Sequence, residues 1–259
     1  MTSIRNPRVQ AARKLRRRAY RDRAGAFLVE GPDAIREALV SSATITELFV
    51  SEDAPEGPSL VALAAESGVP VWTGGRSVLA ALSETRTPQG VVAVARLPDA
   101  AEIPADADLV VVLAGVSDPG NAGTLVRSAV AAGAGAVAFT QGSVDPFGPK
   151  TVRASAGALF HTAILRDVTL EEVTTDLRGR GLLIVGADAR AEPIDRLDLT
   201  GPVAFVLGNE AWGLPEELSH GLDAVASIPM PGPTESLNVG VAGSILLFEA
   251  VRQRRGRLG

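Results

Sequence analysis

Three short stretches of this 259-residue chain collect hydrogen-bonding side chains where a packed turn would carry aliphatics. "SDPGNAGTLVRSAVAAGA" (117–134) sets Asn121 and Arg127 around a turn, and "VLGNEAWGLPEEL" (206–218) puts Gly208, Asn209 and Glu210 directly behind an apolar run. "MPGPTESLNVG" (230–240) crowds Glu235, Ser236 and Asn238 between a Pro/Gly loop and the apolar run "VGVAGSILLFEA". So many hydrogen-bonding side chains on turns between strands and buried helices are more than packing alone asks for, and they mark the turns as candidate binding loops. Cysteine is absent, which excludes disulfides, thiolate metal sites and cysteine nucleophiles; two histidines, His161 and His220, make no histidine-rich metal site. Taken singly, Asn121 reads as a turn residue, Arg127 as a solvated helix cation, and Glu210 and Ser236 as helix-start residues.

The elements around these stretches give them a common address. From residue 26 to about 97, strand-like runs ("AFLVEG", "ITELFVS", "VPVWTG", "GVVAVARL") alternate with helical ones ("PDAIREALVSS", "SLVALAAESG"), the pattern of a small α/β domain. "PDAAEIPADAD" (98–108) reads as a linker, rich in Pro, Ala and acids. Beyond it "LVVVLAGV", "AVAFTQG", "GLLIVGAD", "PVAFVLG" and "AVASIPM" are near-continuous apolar runs, as in a parallel sheet covered on both faces. All three polar stretches follow such runs, with helix caps expected at Thr124 and at Thr234 or Ser236. In an open α/β sheet, ligands gather at the carboxyl ends of strands, so the stretches read as one site built from three loops. "GAGAVA" (133–138) follows a helix and precedes a strand, the reverse of a dinucleotide-binding turn. With lysine only at Lys14 and Lys150, no phosphate-binding lysine loop exists either.

Net charge is −5, yet nine basic residues and one acid lie between Arg5 and Arg23, and Arg252, Arg254, Arg255 and Arg257 close the sequence. These clusters are either solvated charged tails or a footprint for a nucleic-acid backbone. Arg13, Arg16, Arg17 and Arg18 are the candidate RNA contacts. The basic start "MTSIRNPRVQAARKLRRR" has no apolar core like that of a secretory signal, and no long apolar segment suggests a membrane span; a cytoplasmic setting is expected.

In order and spacing, "DPGNAGTLVRSA", "VLGNEAWGL" and "IPMPGPTESLNVGVAGSILLFE" resemble the three signature motifs of the SpoU (TrmH-type) RNA ribose 2′-O-methyltransferases, of the SPOUT superfamily. "KTVRASAGALFH" (150–161) looks like that family's middle segment, so the resemblance covers roughly 105 to 255. More loosely, "VEGPDAIREAL" and "TPQGVVAVA" resemble the substrate-binding domain of many members, whose fold is similar to small RNA-binding ribosomal proteins.

The resemblance implies a trefoil-knotted α/β methyltransferase domain over 109–259, knotted between about Phe205 and Ile245, behind an RNA-binding domain over 1–97. It implies S-adenosylmethionine (AdoMet) as methyl donor and a homodimer with each active site near the subunit interface; no metal is expected. Carried over residue by residue, Arg127 stands at the ribose with the substrate phosphate nearby. Asn121, Glu210, Ser236 and Asn238 orient Arg127, ribose or cofactor. Leu207, Gly208, Ile228, Met230 and Leu237 hold AdoMet, with Gly208 permitting close backbone approach and Ile228 and Leu237 against the adenine. Because guanidinium stays protonated, Arg127 suits a phosphate clamp better than a base. The separate N-terminal domain favours a large structured RNA, 23S rRNA first. The alternatives are a tRNA ribose methyltransferase, or an RNA-binding or ribosome-assembly protein without catalysis.

Overall fold

The computed structural model describes residues 3–85, 87–99, 101–214 and 221–257; His220 lies outside the described residues. The chain forms two compact units: residues 1–99 with 147–161, and residues 100–146 with 162–259.

The first unit carries helices α1 (Pro7–Lys14) and α2 (Arg18–Ala24), then β1 (Ala26–Glu30), α3 (Pro32–Val40), β2 (Ile45–Ser51), α4 (Gly57–Glu66), β3 (Val71–Gly74), α5 (Arg76–Leu82) and β4 (Val91–Arg96). Its sheet has the order β1-β4-β2-β3, with β2 and β3 parallel and the other pairs antiparallel. The basic leader is no solvated tail. Val9, Ala12 and Leu15 recur at helical spacing and are buried in this unit's core with Leu28, Phe49 and Leu79. Asn6 caps α1 by accepting from Arg8 N at 2.9 Å, with Pro7 in the first helical position, where its missing N–H costs nothing.

In the second unit β5 (Leu109–Leu113), α6 (Pro119–Ala131) and β6 (Ala136–Thr140) come first. Helix α7 (Pro149–Ala154) then belongs to the other unit, and β7 (Ala163–Val168), α8 (Leu170–Gly179), β8 (Leu183–Pro193), β9 (Val203–Leu207), β10 (Ala224–Ser227) and α9 (Val239–Gly256) complete the fold. The sheet order is β10-β8-β9-β5-β6-β7, parallel throughout. Every residue of β5, β6 and β9 is buried, as strands covered on both faces must be. Strand β7 escaped the sequence reading because Arg166 and Asp167 interrupt its apolar run at the sheet edge.

Two domain boundaries need correction. Residues 147–161 belong with the first unit, where the Phe147 and Phe160 rings pack 5.0 Å and 6.2 Å from Phe27, and Arg153 Nη1 reaches Glu30 at 3.3 Å. The expected linker 98–108 divides after Asp99, because Ile103 is an apolar anchor buried in the second unit's core among Val110, Leu182 and Ile184. The expected knot includes residues 215–220, which lie outside the described residues. What flanks them, an all-parallel sheet with β9, β10 and α9 in this order, is consistent with a trefoil-knotted methyltransferase.

Candidate active site

The strand order reverses direction at β5, which has β6 on one side and β9 on the other, and the carboxyl ends of β5 and β9 open a crevice there. A cleft of ≈ 820 Å³ lies at these ends, lined from the loops after β5, β9 and β10, the distal part of β8 and the start of α9.

Helix α6 starts earlier than the sequence suggests. Asp118, not Thr124, is the N-cap: its Oδ1 accepts from Asn121 N at 2.8 Å, and Pro119 takes the first helical position. Asn121 therefore stands in the first turn. Helix α9 is likewise capped by Asn238 rather than Thr234 or Ser236, through Oδ1 accepting from Gly240 N at 2.9 Å and Val241 N at 3.3 Å.

Glu210 ties the loops together. Its Oε2 accepts from Ser117 N at 3.1 Å and Ser117 Oγ at 3.0 Å, and its Oε1 from Asp118 N and Asn121 Nδ2, each at 3.0 Å. Asn121 Oδ1 in turn accepts from Asn238 Nδ2 at 2.8 Å. Each amide is used consistently: Nδ2 of Asn121 donates to a carboxylate, which leaves Oδ1 for Asn238, whose own Oδ1 caps α9. Burial pushes the Glu210 carboxyl upward, but donation from Ser117 N, the Asn121 amide and Asp118 N outweighs it and lowers the pKa from 4.5 to about 2. A carboxylate so satisfied is a fixed anion and a poor proton acceptor.

The loop after β9 is a tight hairpin. Asn209 and Gly213 exchange two backbone hydrogen bonds of 2.9 Å, while the Asn209 side chain donates to Gly115 O and accepts from Ala211 N, both at 2.8 Å. Gly208 makes the hairpin possible: a Cβ there would overlap the Gly213 carbonyl and stand 2.5 Å from Leu214 N. The glycine answers to its own loop first, a different reason from the expected approach of a cofactor.

Leu207, Gly208, Ile228, Met230 and Leu237 all line the cleft, as do Asn121, Glu210, Ser236 and Asn238. The floor is apolar, with Leu207 and Leu246 buried, while Leu237 is 38% exposed on the wall and residues 228–230 run as coil beyond β10 with backbone groups outside any strand. An apolar slot edged by backbone groups outside any strand fits an adenosyl group. Arg127 is the exception. It is exposed on α6, does not line the cleft, and has no hydrogen-bond or ion-pair partner among the described residues.

Sequence reasoning missed the wall from β8. Between Gly186 and Glu192 that strand leaves its register with β10, and Asp188, Ala189 and Arg190 enter the cleft lining. The polar stretch "GADARAEP" that follows the apolar start of this strand was the available signal, similar to the one that marked the loops. Among the basic residues, Arg13, Arg17 and Arg18 are exposed, and Arg18 pairs with Asp22 at 3.7 Å. Arg16 is half-buried and donates to the Ala81 and Ser83 carbonyls, fastening the leader to the end of α5.

Comparison with known proteins decides what this arrangement is. The SpoU rRNA Methylase family matches residues 108–248, and the MRM3-like substrate binding domain matches residues 6–93. The chain belongs to the SpoU rRNA methylase family. It is 32% identical to the 23S rRNA (guanosine(2553)-2′-O)-methyltransferase RlmP of Bacillus subtilis, over 95% of this chain and 96% of that one. The SpoU methyltransferase AviRb of Streptomyces viridochromogenes, solved with AdoMet, superposes with a TM-score of 0.88 at 31% identity, covering 97% of this chain and 99% of that one. An AdoMet-bound rRNA methyltransferase from Sinorhizobium meliloti gives 0.85 at 31%, covering 97% of both chains. As a SpoU methylase the protein is an AdoMet-dependent RNA ribose 2′-O-methyltransferase, with its all-parallel unit as the catalytic domain. Among the described residues no helix is long and apolar enough to cross a membrane, and no cluster of His, Asp and Glu could hold a metal ion.

Proposed function

We propose that the protein methylates a ribose of 23S rRNA and works as a homodimer. The observation that carries the substrate reading is the likeness to the 23S rRNA enzyme of B. subtilis along the whole chain, N-terminal unit included. AdoMet supplies an electrophilic methyl when bound. Leu207, Gly208, Ile228, Met230 and Leu237, which line the cleft, would hold it. Asn121, held by Glu210, and Asn238, held in turn by Asn121, keep an amide N–H each for the ribose, and the Ser236 hydroxyl lines the same space. With Glu210 held as a fixed anion, the chain's contribution is orientation of the 2′-hydroxyl and electrostatic support of its developing charge.

Pairing of two copies gives Arg127 its place. Val241, Ile245 and Phe248 recur along one face of α9 and are 46%, 40% and 48% exposed. Such an apolar stripe is costly in water and suits a second copy of the same helix. Helix α6 packs on α9, with Ser128 Oγ and Ser244 Oγ 2.7 Å apart, which supports a reading in which Arg127, the neighbour of Ser128, would meet the RNA phosphate near the seam. On the N-terminal unit, Arg13, Arg17 and Arg18 supply backbone contacts whose strength falls with salt, while Arg16 positions the leader.

Mapping ribose 2′-O-methylation in total RNA from cells with and without the gene tests the substrate. A single methylation lost from 23S rRNA is the expected result. A loss confined to tRNA would overturn it.

A further inference from the structure

The cleft has a rim feature that neither the cofactor slot nor the amide relay uses. Trp212 is 78% exposed, more than any other large hydrophobic residue described, and lines the same cleft as Asn121 and Asn238. An indole so placed is costly to leave in water. The loop that presents it is closed by its own hydrogen bonds: the two Asn209–Gly213 backbone bonds close the hairpin, Gly213 takes the left-handed conformation at φ 73°, and Asn209 fastens the base of the loop to Gly115 O. The backbone that carries Trp212 is thus shaped by the hairpin's own bonds, and the indole projects from it into solvent at the cleft.

We infer that Trp212 is a stacking platform for a nucleobase of the substrate RNA, at or beside the nucleotide whose ribose is methylated. The inference rests on the RNA methyltransferase reading of the cleft. Three observations favour a base over other occupants. The apolar surface suited to the adenosyl group is the buried floor at Leu207 and Leu246, whereas Trp212 stands at the mouth, where the larger ligand enters. It lies off the Val241–Ile245–Phe248 stripe that serves a second copy. Arg190, with a side chain 92% exposed and Asp188 3.6 Å away, lines the same cleft and adds a cation for the phosphate that follows a base. An aromatic face beside a guanidinium is the pair that single-stranded nucleic acid takes, since every base has a π-face. Splaying the target nucleotide onto Trp212 frees its ribose to reach the amides below.

The test uses full-length protein and unmodified 23S rRNA transcribed in vitro. Trp212→Ala is expected to raise KM for RNA about tenfold, the order of one lost base stack, while the AdoMet Kd from calorimetry stays at the wild-type value. Trp212→Phe is expected to restore most of the loss. In a Trp72→Phe background Trp212 is the only indole, and RNA is expected to quench its fluorescence. An unchanged KM in Trp212→Ala would overturn the inference. So would a weakened AdoMet Kd, which makes the indole a cofactor wall, or dissociation of the dimer, which makes it a copy contact. Quenching by RNA without methyl transfer would uphold the stacking and refute the substrate reading; transfer without quenching would refute the stacking.

Discussion

Asn121 donates its side-chain amide to Glu210 at 3.0 Å across 89 residues of sequence, joining the first turn of α6 to the hairpin after β9. With Asn238 donating to Asn121 Oδ1, one line of hydrogen bonds crosses three loops and leaves no freedom over which way either amide points. Orientation is thereby settled before substrate binds, which is where a reaction that depends on in-line geometry gains most.

The first prediction concerns that line. Asn121→Ala and Asn238→Ala each remove one member, and their effects on methyl-transfer rate are not expected to add. A double-mutant cycle on single-turnover rates is expected to give a coupling of about 1 kcal/mol, within the range for residues sharing a hydrogen-bond network. Strict additivity would mean that the two amides act separately. Asn121→Asp is expected to be worse than Asn121→Ala, because it sets a second carboxylate against Glu210.

Glu210 gives a pH prediction. Its folded pKa of about 2 lies below its ordinary value of 4.5, so its stabilising contribution is complete above 4.5 and is lost as pH falls toward 2. Wild type is expected to exceed Glu210→Gln in Tm at neutral pH, with the gap closing between pH 4.5 and about 2. A gap that persists unchanged at pH 2 would show that the carboxylate charge is not what holds the loops. The acid limb of the methylation rate is expected to owe nothing to this group.

At Gly208 the fold fixes the outcome. Even Gly208→Ala places a Cβ against the Gly213 carbonyl, so the hairpin must open. AdoMet affinity and thermal stability are expected to fall together, by contrast with a larger residue at an open cofactor wall, which would lower affinity alone. Calorimetry and thermal melts on the same preparation separate the two.

Some of this was legible in the sequence for plain reasons. Strands β5, β6 and β9 are unbroken apolar runs, and three polar stretches behind such runs located the cleft. What stayed hidden depends on packing at a distance. Asp118 and Thr124 are both chemically able caps, and only the backbone path selects Asp118. Ile103 in an acidic, proline-bearing stretch looks like linker until its pocket is seen, and the reach of Arg16 to carbonyls 65 and 67 residues away has no local signature. The role of Gly208 changed for the same reason: its crowding neighbour is the chain itself.

The exposed stripe on α9 predicts its own disruption. Ile245→Glu puts a charge in the middle of Val241, Ile245 and Phe248, where solvent already reaches, so the fold should survive it. Sedimentation is expected to show dimer for wild type and monomer for the variant. A variant that stays dimeric would move the interface elsewhere.

Arg127 carries the sharpest prediction. Because α6 begins at Pro119, Arg127 is more than two turns inside the helix, beyond the first turn to which the dipole penalty is confined. Its position therefore asks for no compensating anion on that ground. The case rests instead on an exposed guanidinium without a partner among the described residues, on the helix that also carries Asn121. If two copies bring it against the substrate phosphate, Arg127→Ala is expected to cost on the order of 3 kcal/mol of barrier, the scale of a lost donor to developing charge. Tm and AdoMet affinity are expected to hold, since the side chain supports no part of the core or the cleft. Arg127→Lys separates charge from shape: partial rescue points to simple electrostatics, no rescue to the bidentate fork. The link to pairing is testable in the same assay, because the monomeric Ile245→Glu protein should lose the same rate and lose no more on a further Arg127→Ala. An Arg127→Ala enzyme that methylates at the normal single-turnover rate with saturating RNA would remove the residue from the mechanism.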